Sequence, residues 1–228
     1  MSIMILSVLI LIFSIIIHEY GHAWMANRLG DSTAKDLGRL TLNPIPHIDP
    51  FGSILLPLFF VISGTPFLLA WAKPVPYNPS RIKDKKYGDL KVAIAGPGSN
   101  IILAVFFGLV ARFLPLASEL KTSLLLSYFR GDFSFISSSM AGDMVAVVFF
   151  MAVLFCFLNL LLAIFNLMPI PPLDGSKIIV NFLPDRYKYK FLMVERYGIF
   201  IILFLLMFGF FRLIFYPILF ILSFLTGI

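Results

Sequence analysis

Apolar positions in this chain gather into long runs at residues 1–17, 51–71, 92–116, 144–169 and 197–228, with most charged residues between them. A helix rises 1.5 Å per residue, so about 20 apolar residues cross the roughly 30 Å of bilayer hydrocarbon. Residues 3–29, 90–114 and 143–169 meet that length and are predicted as membrane helices. The first run lacks the basic start and small-residue cleavage site of a signal peptide and continues into a polar cluster, so it reads as a retained helix. The last run meets Arg212 and then Tyr216-Pro217, which predicts a span at 197–213 and an interfacial helix at 216–226. Segment 51–71 is long enough to span but is interrupted at Gly52, at Pro57 and by Gly64-Thr65-Pro66.

Composition changes the picture by exclusion. With 60% apolar residues, 13% charged, 26 Phe and a mean hydropathy of +0.96, the chain exceeds what a soluble globule can hide, and a disordered chain or disulfide scaffold is equally excluded. Its single cysteine, Cys156, lies in an apolar run and reads as a small hydrophobe. The net charge of +6 does not point to nucleic acid, because the basic residues sit in short linkers and not on one water-exposed face. They follow the topogenic pattern instead. Linker 72–91 carries Lys73, Arg81, Lys83, Lys85, Lys86 and Lys91, and linker 175–196 carries Lys177, Arg186, Lys188, Lys190 and Arg196, which places both in the cytoplasm. Linker 115–142, with only Lys121 and Arg130, is then external. No linker has room for an appended domain, so residues 1–228 read as one all-α, polytopic membrane helix bundle.

The chemistry lies in His18-Glu19-Tyr20-Gly21-His22. Histidines four apart on a helix share one face, the geometry in which two imidazoles reach one divalent ion. Glu19 flanks that ion without ligating it, placed to take a proton from a water acidified by the metal and return it to a leaving amine. His and Glu occur only three times each in the chain, and a charge at membrane depth costs about 2.5 to 3.5 kcal/mol, so a chance polar patch is a poor explanation. A catalytic zinc usually takes a third protein ligand. His47, in the Pro-rich stretch 43–50, is one candidate. Asp174 is the other: it closes the run Asn166-Leu167-Met168-Pro169-Ile170-Pro171-Pro172-Leu173-Asp174, where a membrane helix gives way to an irregular backbone of the kind tolerated beside a wet cavity.

These two signatures together resemble those of the site-2 proteases, the intramembrane zinc metalloproteases. Two further stretches fit the same family: 38–44 with the following His-Ile-Asp-Pro-Phe-Gly, and Ala-Gly-Pro-Gly-Ser-Asn at 95–100. The resemblance implies one Zn²⁺ per chain bound by His18, His22 and Asp174, Glu19 as general base, and Asn166 and Asn100 as residues that bind substrate or support the site. It implies a membrane-protein or membrane-peptide substrate, met within the lipid bilayer and cleaved in or near its transmembrane segment. The chain has no room for a PDZ or CBS module and looks like the compact branch of the family. Residues 37–43 alternate apolar and polar side chains, which predicts a short strand at the membrane surface able to pair with an unwound substrate.

Two other classes compete. A non-enzymatic membrane metal carrier or sensor uses the same ligands but has no need of Glu19. A different zinc membrane peptidase takes its third ligand from a Glu on a later helix, for which only Glu119 and Glu195 remain. If His22 and Asp174 share one ion at the cytoplasmic leaflet, segment 51–71 crosses an even number of times, which predicts a re-entrant hairpin turning near Gly64-Thr65-Pro66. The expected location is the plasma membrane of a prokaryote, with the active site toward the cytoplasm.

Overall fold

The computed structural model describes residues 3–55, 58, 59, 62 and 73–228. Its helices are α1 (Ile3–Arg28), α2 (Gly88–Phe113), α3 (Ser118–Arg130), α4 (Phe133–Met140), α5 (Met144–Asn166), α6 (Asp174–Phe182), α7 (Asp185–Met193), α8 (Gly198–Met207) and α9 (Phe211–Thr226). Of these, α1, α2 and α5 are long and apolar enough to cross a membrane. No strand forms among the described residues, so the fold is an all-α membrane bundle.

Helix α2 is central, packed against α1 on one side and α5 on another, with α6 and α9 against it. Lipid is as apolar as the bundle interior, so helices associate through close packing and polar contacts more than through burial of apolar area. At Gly21 of α1 an added Cβ would lie 2.7 Å from Ala95 O of α2, and at Gly108 of α2 one would lie 2.7 Å from Leu225 Cβ of α9. The contact surfaces also bury Ala104, Ala111, Ala146 and Ala152, while Ile102, Phe106 and Phe113 point outward, where lipid accepts them. Helix α5 starts where the Asp143 carboxylate accepts from Val145 N–H and Ala146 N–H at 2.9 and 3.0 Å. It ends at Asn166, short of the expected 169, because the residue before Pro169 is kept out of helical backbone.

Two expectations change. The short surface strand expected at 37–43 is not formed. Thr41 Oγ1 accepts from Asn43 N–H, Asn43 Oδ1 accepts from Ile45 N–H, and His47 Nε2–H donates to Thr41 O, so these polar groups close turns locally instead of aligning an extended edge. The final run breaks at Gly209, whose φ of 72° ends α8, and not at Tyr216-Pro217. Pro217 is accommodated inside α9, which packs along α2 and α5 and buries Ile218, Leu222 and Thr226 completely. Linker 115–142 holds the helix pair α3 and α4, anchored by buried Lys121, whose Nζ donates to the terminal carbonyls of Ala111 and Arg112 on α2. The turn of the re-entrant hairpin expected at 51–71, and most of its length, lies outside the described residues.

Candidate metal centre

Helix α1 places His18 and His22 one turn apart, their ring centroids 4.7 Å apart and their planes nearly perpendicular. Each Nδ1 is held by an acceptor on α2. His22 Nδ1–H donates to Val92 O at 2.7 Å; a carbonyl can only accept, so Nδ1 carries a proton and Nε2 is the nitrogen turned to the cluster. His18 Nδ1–H donates to Asn100 Oδ1 at 2.6 Å. That amide's orientation follows from its other end, since Asn100 Nδ2 donates to Ser14 O and to Asn159 Oδ1 at 3.1 and 2.8 Å. Asn159 in turn donates through Nδ2 to Phe155 O and Ser14 Oγ, both at 2.9 Å, and Ser14 Oγ donates to Ile10 O. Every amide group in the chain from Ile10 to His18 has one consistent role, and Ser14, Asn100 and Asn159 are fully buried. The sequence reading missed Asn159 and Ser14. The available signal is an amide in the middle of the apolar run 144–169, one of two there with Asn166, and a serine one turn before His18.

Asp174 reaches the same point from the start of α6. The irregular stretch after Asn166 folds back so that Gly175 lies against the turn that follows α5; a Cβ there would sit 2.2 Å from Leu167 O and 2.3 Å from Met168 O. Only glycine fits. Asp174 Oδ2 then lies 3.1 Å from His18 Nε2 and 3.0 Å from His22 Nε2, and the two Nε2 atoms are 3.1 Å apart. Lys177 Nζ approaches the other carboxylate oxygen at 3.4 Å. Gly96 of α2 forms the wall behind the cluster, since a Cβ there would sit 2.3 Å from His22 Nε2 and 2.7 Å from His18 Nε2.

Among the described residues this is the group of His, Cys, Asp or Glu side chains whose donor atoms converge for a metal. A tetrahedral zinc with ligands at about 2.0 to 2.2 Å separates them by about 3.3 Å, so a movement of a few tenths of an ångström seats it. Two imidazoles and one carboxylate, with no further His, Cys, Asp or Glu converging on them among the described residues, are a donor set suited to a catalytic zinc, and the residues fit the ion.

Glu19 stands beside the cluster, and its Oε2 accepts from Val75 N–H at 2.9 Å. His47 is buried elsewhere, bonded to Thr41 O. Asn166 Nδ2 donates to Leu162 O of its own helix at 2.9 Å. Tyr77 packs on the small cluster of Ala26, Ile82 and Val92 below the site. Burial, reinforced by the charges of Asp89 and Asp174, pushes its phenol up to about 12. Asp31, just past α1, is also buried. Burial alone would raise its pKa, but hydrogen bonds from Thr33 and the Asn78 amide, with the nearby Arg81 charge, hold it below the ordinary carboxylate value.

A bundle with helices long enough to span a membrane, enclosing two histidines and a carboxylate whose donor atoms converge as a metal needs, with a glutamate beside them, is the arrangement of a membrane metallopeptidase. The chain belongs to peptidase family M50, the site-2 protease family, whose sequence model matches residues 6–209. It is 38% identical over 206 residues to the "Putative zinc metalloprotease YwhC" of Bacillus subtilis, covering 90% of this chain and 82% of that one. It is 28% identical over 196 residues to the "Putative zinc metalloprotease Rip2" of Mycolicibacterium smegmatis, and 31% identical over 163 residues to the protein of that name in Mycobacterium tuberculosis. The chain spans 64% and 51% of the length of those two mycobacterial proteins. No solved structure matches it. It is therefore a zinc metalloprotease of the membrane, acting on a protein substrate.

Proposed function

We propose that the chain is an intramembrane zinc endopeptidase in which His18, His22 and Asp174 hold one zinc ion and Glu19 is the general base. The substrate is a membrane protein or membrane peptide, cut within or beside its transmembrane segment. One observation carries this, the approach of His18 Nε2, His22 Nε2 and Asp174 Oδ2 to 3.0–3.1 Å of one another, with both histidines on a helix long enough to cross a membrane. When bound, the zinc supplies a Lewis acid that polarises the scissile carbonyl and lowers the pKa of water toward about 7.

Glu19 takes one proton from the attacking water as the new C–O bond forms. It returns that proton to the amide nitrogen as the C–N bond breaks, so a single carboxylate serves as base and then as acid. Val92 O and Asn100 Oδ1 hold the Nδ1 protons of the two histidines and keep both Nε2 lone pairs aimed at one point. His18 lies about 15 Å from the Arg28 end of α1, so the scissile bond has to be brought to that depth. A helical substrate has its carbonyls closed in internal hydrogen bonds and must unwind there. The basic linkers 72–91 and 175–196 orient the site toward the cytoplasmic leaflet of a prokaryotic plasma membrane.

The test uses the full chain in liposomes with a quenched-fluorescence peptide carrying one apolar segment of about 20 residues. Wild type cleaves it, and Glu19→Gln loses about 10²- to 10⁴-fold in rate while retaining equal zinc. Full activity in Glu19→Gln removes the glutamate's role. Zinc-loaded wild type inert toward every single-span probe leaves a metal carrier or sensor as the better account.

A further inference from the structure

Residues 73–78, Lys73-Pro74-Val75-Pro76-Tyr77-Asn78, form a strap without helix or strand that passes Glu19. Proline has no backbone N–H, so in the stretch 74–76 Val75 is the only residue with an amide donor, and that donor goes to Glu19 Oε2 at 2.9 Å. The prolines do more than remove competing donors. Each also keeps the residue before it out of helical backbone, which restricts both Lys73 and Val75 to extended conformations. The strap is fastened on either side of the contact. Lys73 N–H donates to His47 O at 2.9 Å, and Asn78 N–H donates to Asp31 Oδ2 at 2.6 Å. Asp31 is itself locked by Thr33, whose N–H donates to Oδ1 at 3.1 Å, and a little further on Lys83 N–H donates to Leu29 O at 2.9 Å. Tyr77 packs into the cluster of Ala26, Ile82 and Val92.

We propose that the Val75 backbone N–H is a positioning donor for Glu19, holding one carboxylate oxygen so that the other is presented to the reacting water. This rests on Glu19 being the general base. A glutamate on a helix surface has three rotatable torsions and gains nothing from correct placement of its backbone alone. A donor fixed to one oxygen selects a single rotamer without consuming the oxygen that accepts the proton. Fastening at both ends suits a fixed donor, whereas a lid that opens for each substrate needs a free end.

Val75→Pro deletes the donor and keeps the extended backbone, while Val75→Ala keeps the donor and trims the side chain. With the single-span peptide probe in liposomes, Val75→Pro is expected to lose at least about tenfold in kcat, with KM and zinc content little changed. Val75→Ala is expected to stay within about threefold of wild type. Equal activity in the two variants overturns the proposal. Activity of Val75→Pro above wild type also overturns it, because the strap would then be a block on Glu19.

Hydrogen exchange of the metal-free chain provides a readout independent of turnover and of how well Val75→Pro folds. Glu19→Ala is expected to speed exchange of the Val75 amide about tenfold relative to wild type, with the Lys73 and Asn78 amides unchanged. No change at Val75 overturns the proposal even if the wild-type chain cleaves no probe, so its failure is distinguishable from failure of the peptidase reading.

Discussion

At the scale of single residues, Asn159 is the position whose importance the chain hides best. It touches no candidate ligand, yet it decides which end of the Asn100 amide faces His18. Asn159→Leu keeps the branched shape but leaves Asn100 Nδ2 short of one acceptor and Ser14 Oγ short of one donor, freeing the Asn100 amide to turn. The expected result is zinc affinity weaker by about 10- to 100-fold, measured by competition with a chelator of known affinity. Unaltered affinity would reduce Asn159 to a packing residue between α1, α2 and α5. His18, Glu19 and His22 were legible without any of this, because their spacing is a property of one helix. Asn159 and Ser14 were not, since an amide 145 residues from its hydroxyl partner leaves no local pattern.

At the scale of elements, the approach of α2 to α1 determines whether there is room for the cluster. Gly96 and Gly98 are near neighbours on α2 with different surroundings: a Cβ at Gly96 collides with both imidazoles, while one at Gly98 meets nothing within 4 Å. Gly96→Ala is therefore expected to abolish stoichiometric zinc binding, and Gly98→Ala to retain it, both measured by elemental analysis of purified protein. Equal zinc in the two would mean that α2 slides easily past α1. The sequence signature at 95–100 marks this stretch, but spacing alone does not say which glycine faces the histidines. The same limit explains the last run. Its total apolar length was legible, but whether the chain turns at Gly209 or at Pro217 depends on which faces of α8 and α9 find partners. In a membrane, inward and outward faces are both apolar, so hydrophobic periodicity gives no direction.

At the scale of the whole molecule, the hydrogen bonds Lys83 N–H to Leu29 O, Asn78 N–H to Asp31 Oδ2 and Lys73 N–H to His47 O join the linker after α1 to the one before α2. Both linkers thus lie on one side of the bundle. Helices α3 and α4 follow α2 and belong to the other side. In intact cells or sealed vesicles, Lys35→Cys and Lys85→Cys are expected to react with a membrane-impermeant thiol reagent from the same side, and Ser134→Cys from the opposite one. Native Cys156 is fully buried and contributes no background. Labelling of Lys35→Cys and Lys85→Cys from opposite sides would make the number of crossings between them odd and dismantle this topology.

What the sequence determined by itself was whatever a short stretch of chain can encode. Apolar length marked the three long helices, and helical spacing put two imidazoles and a carboxylate on one turn. The tertiary structure alone decided where Asp174 arrives, 156 residues from His18, which amides orient the imidazoles, and that the Pro-Val-Pro strap delivers its one donor to Glu19. The physical reason is common to all three: each contact joins elements far apart in the chain, and the geometry that joins them comes from how closely α1, α2 and α5 pack, where glycine permits backbone contact and lipid supplies no competing hydrogen bonds.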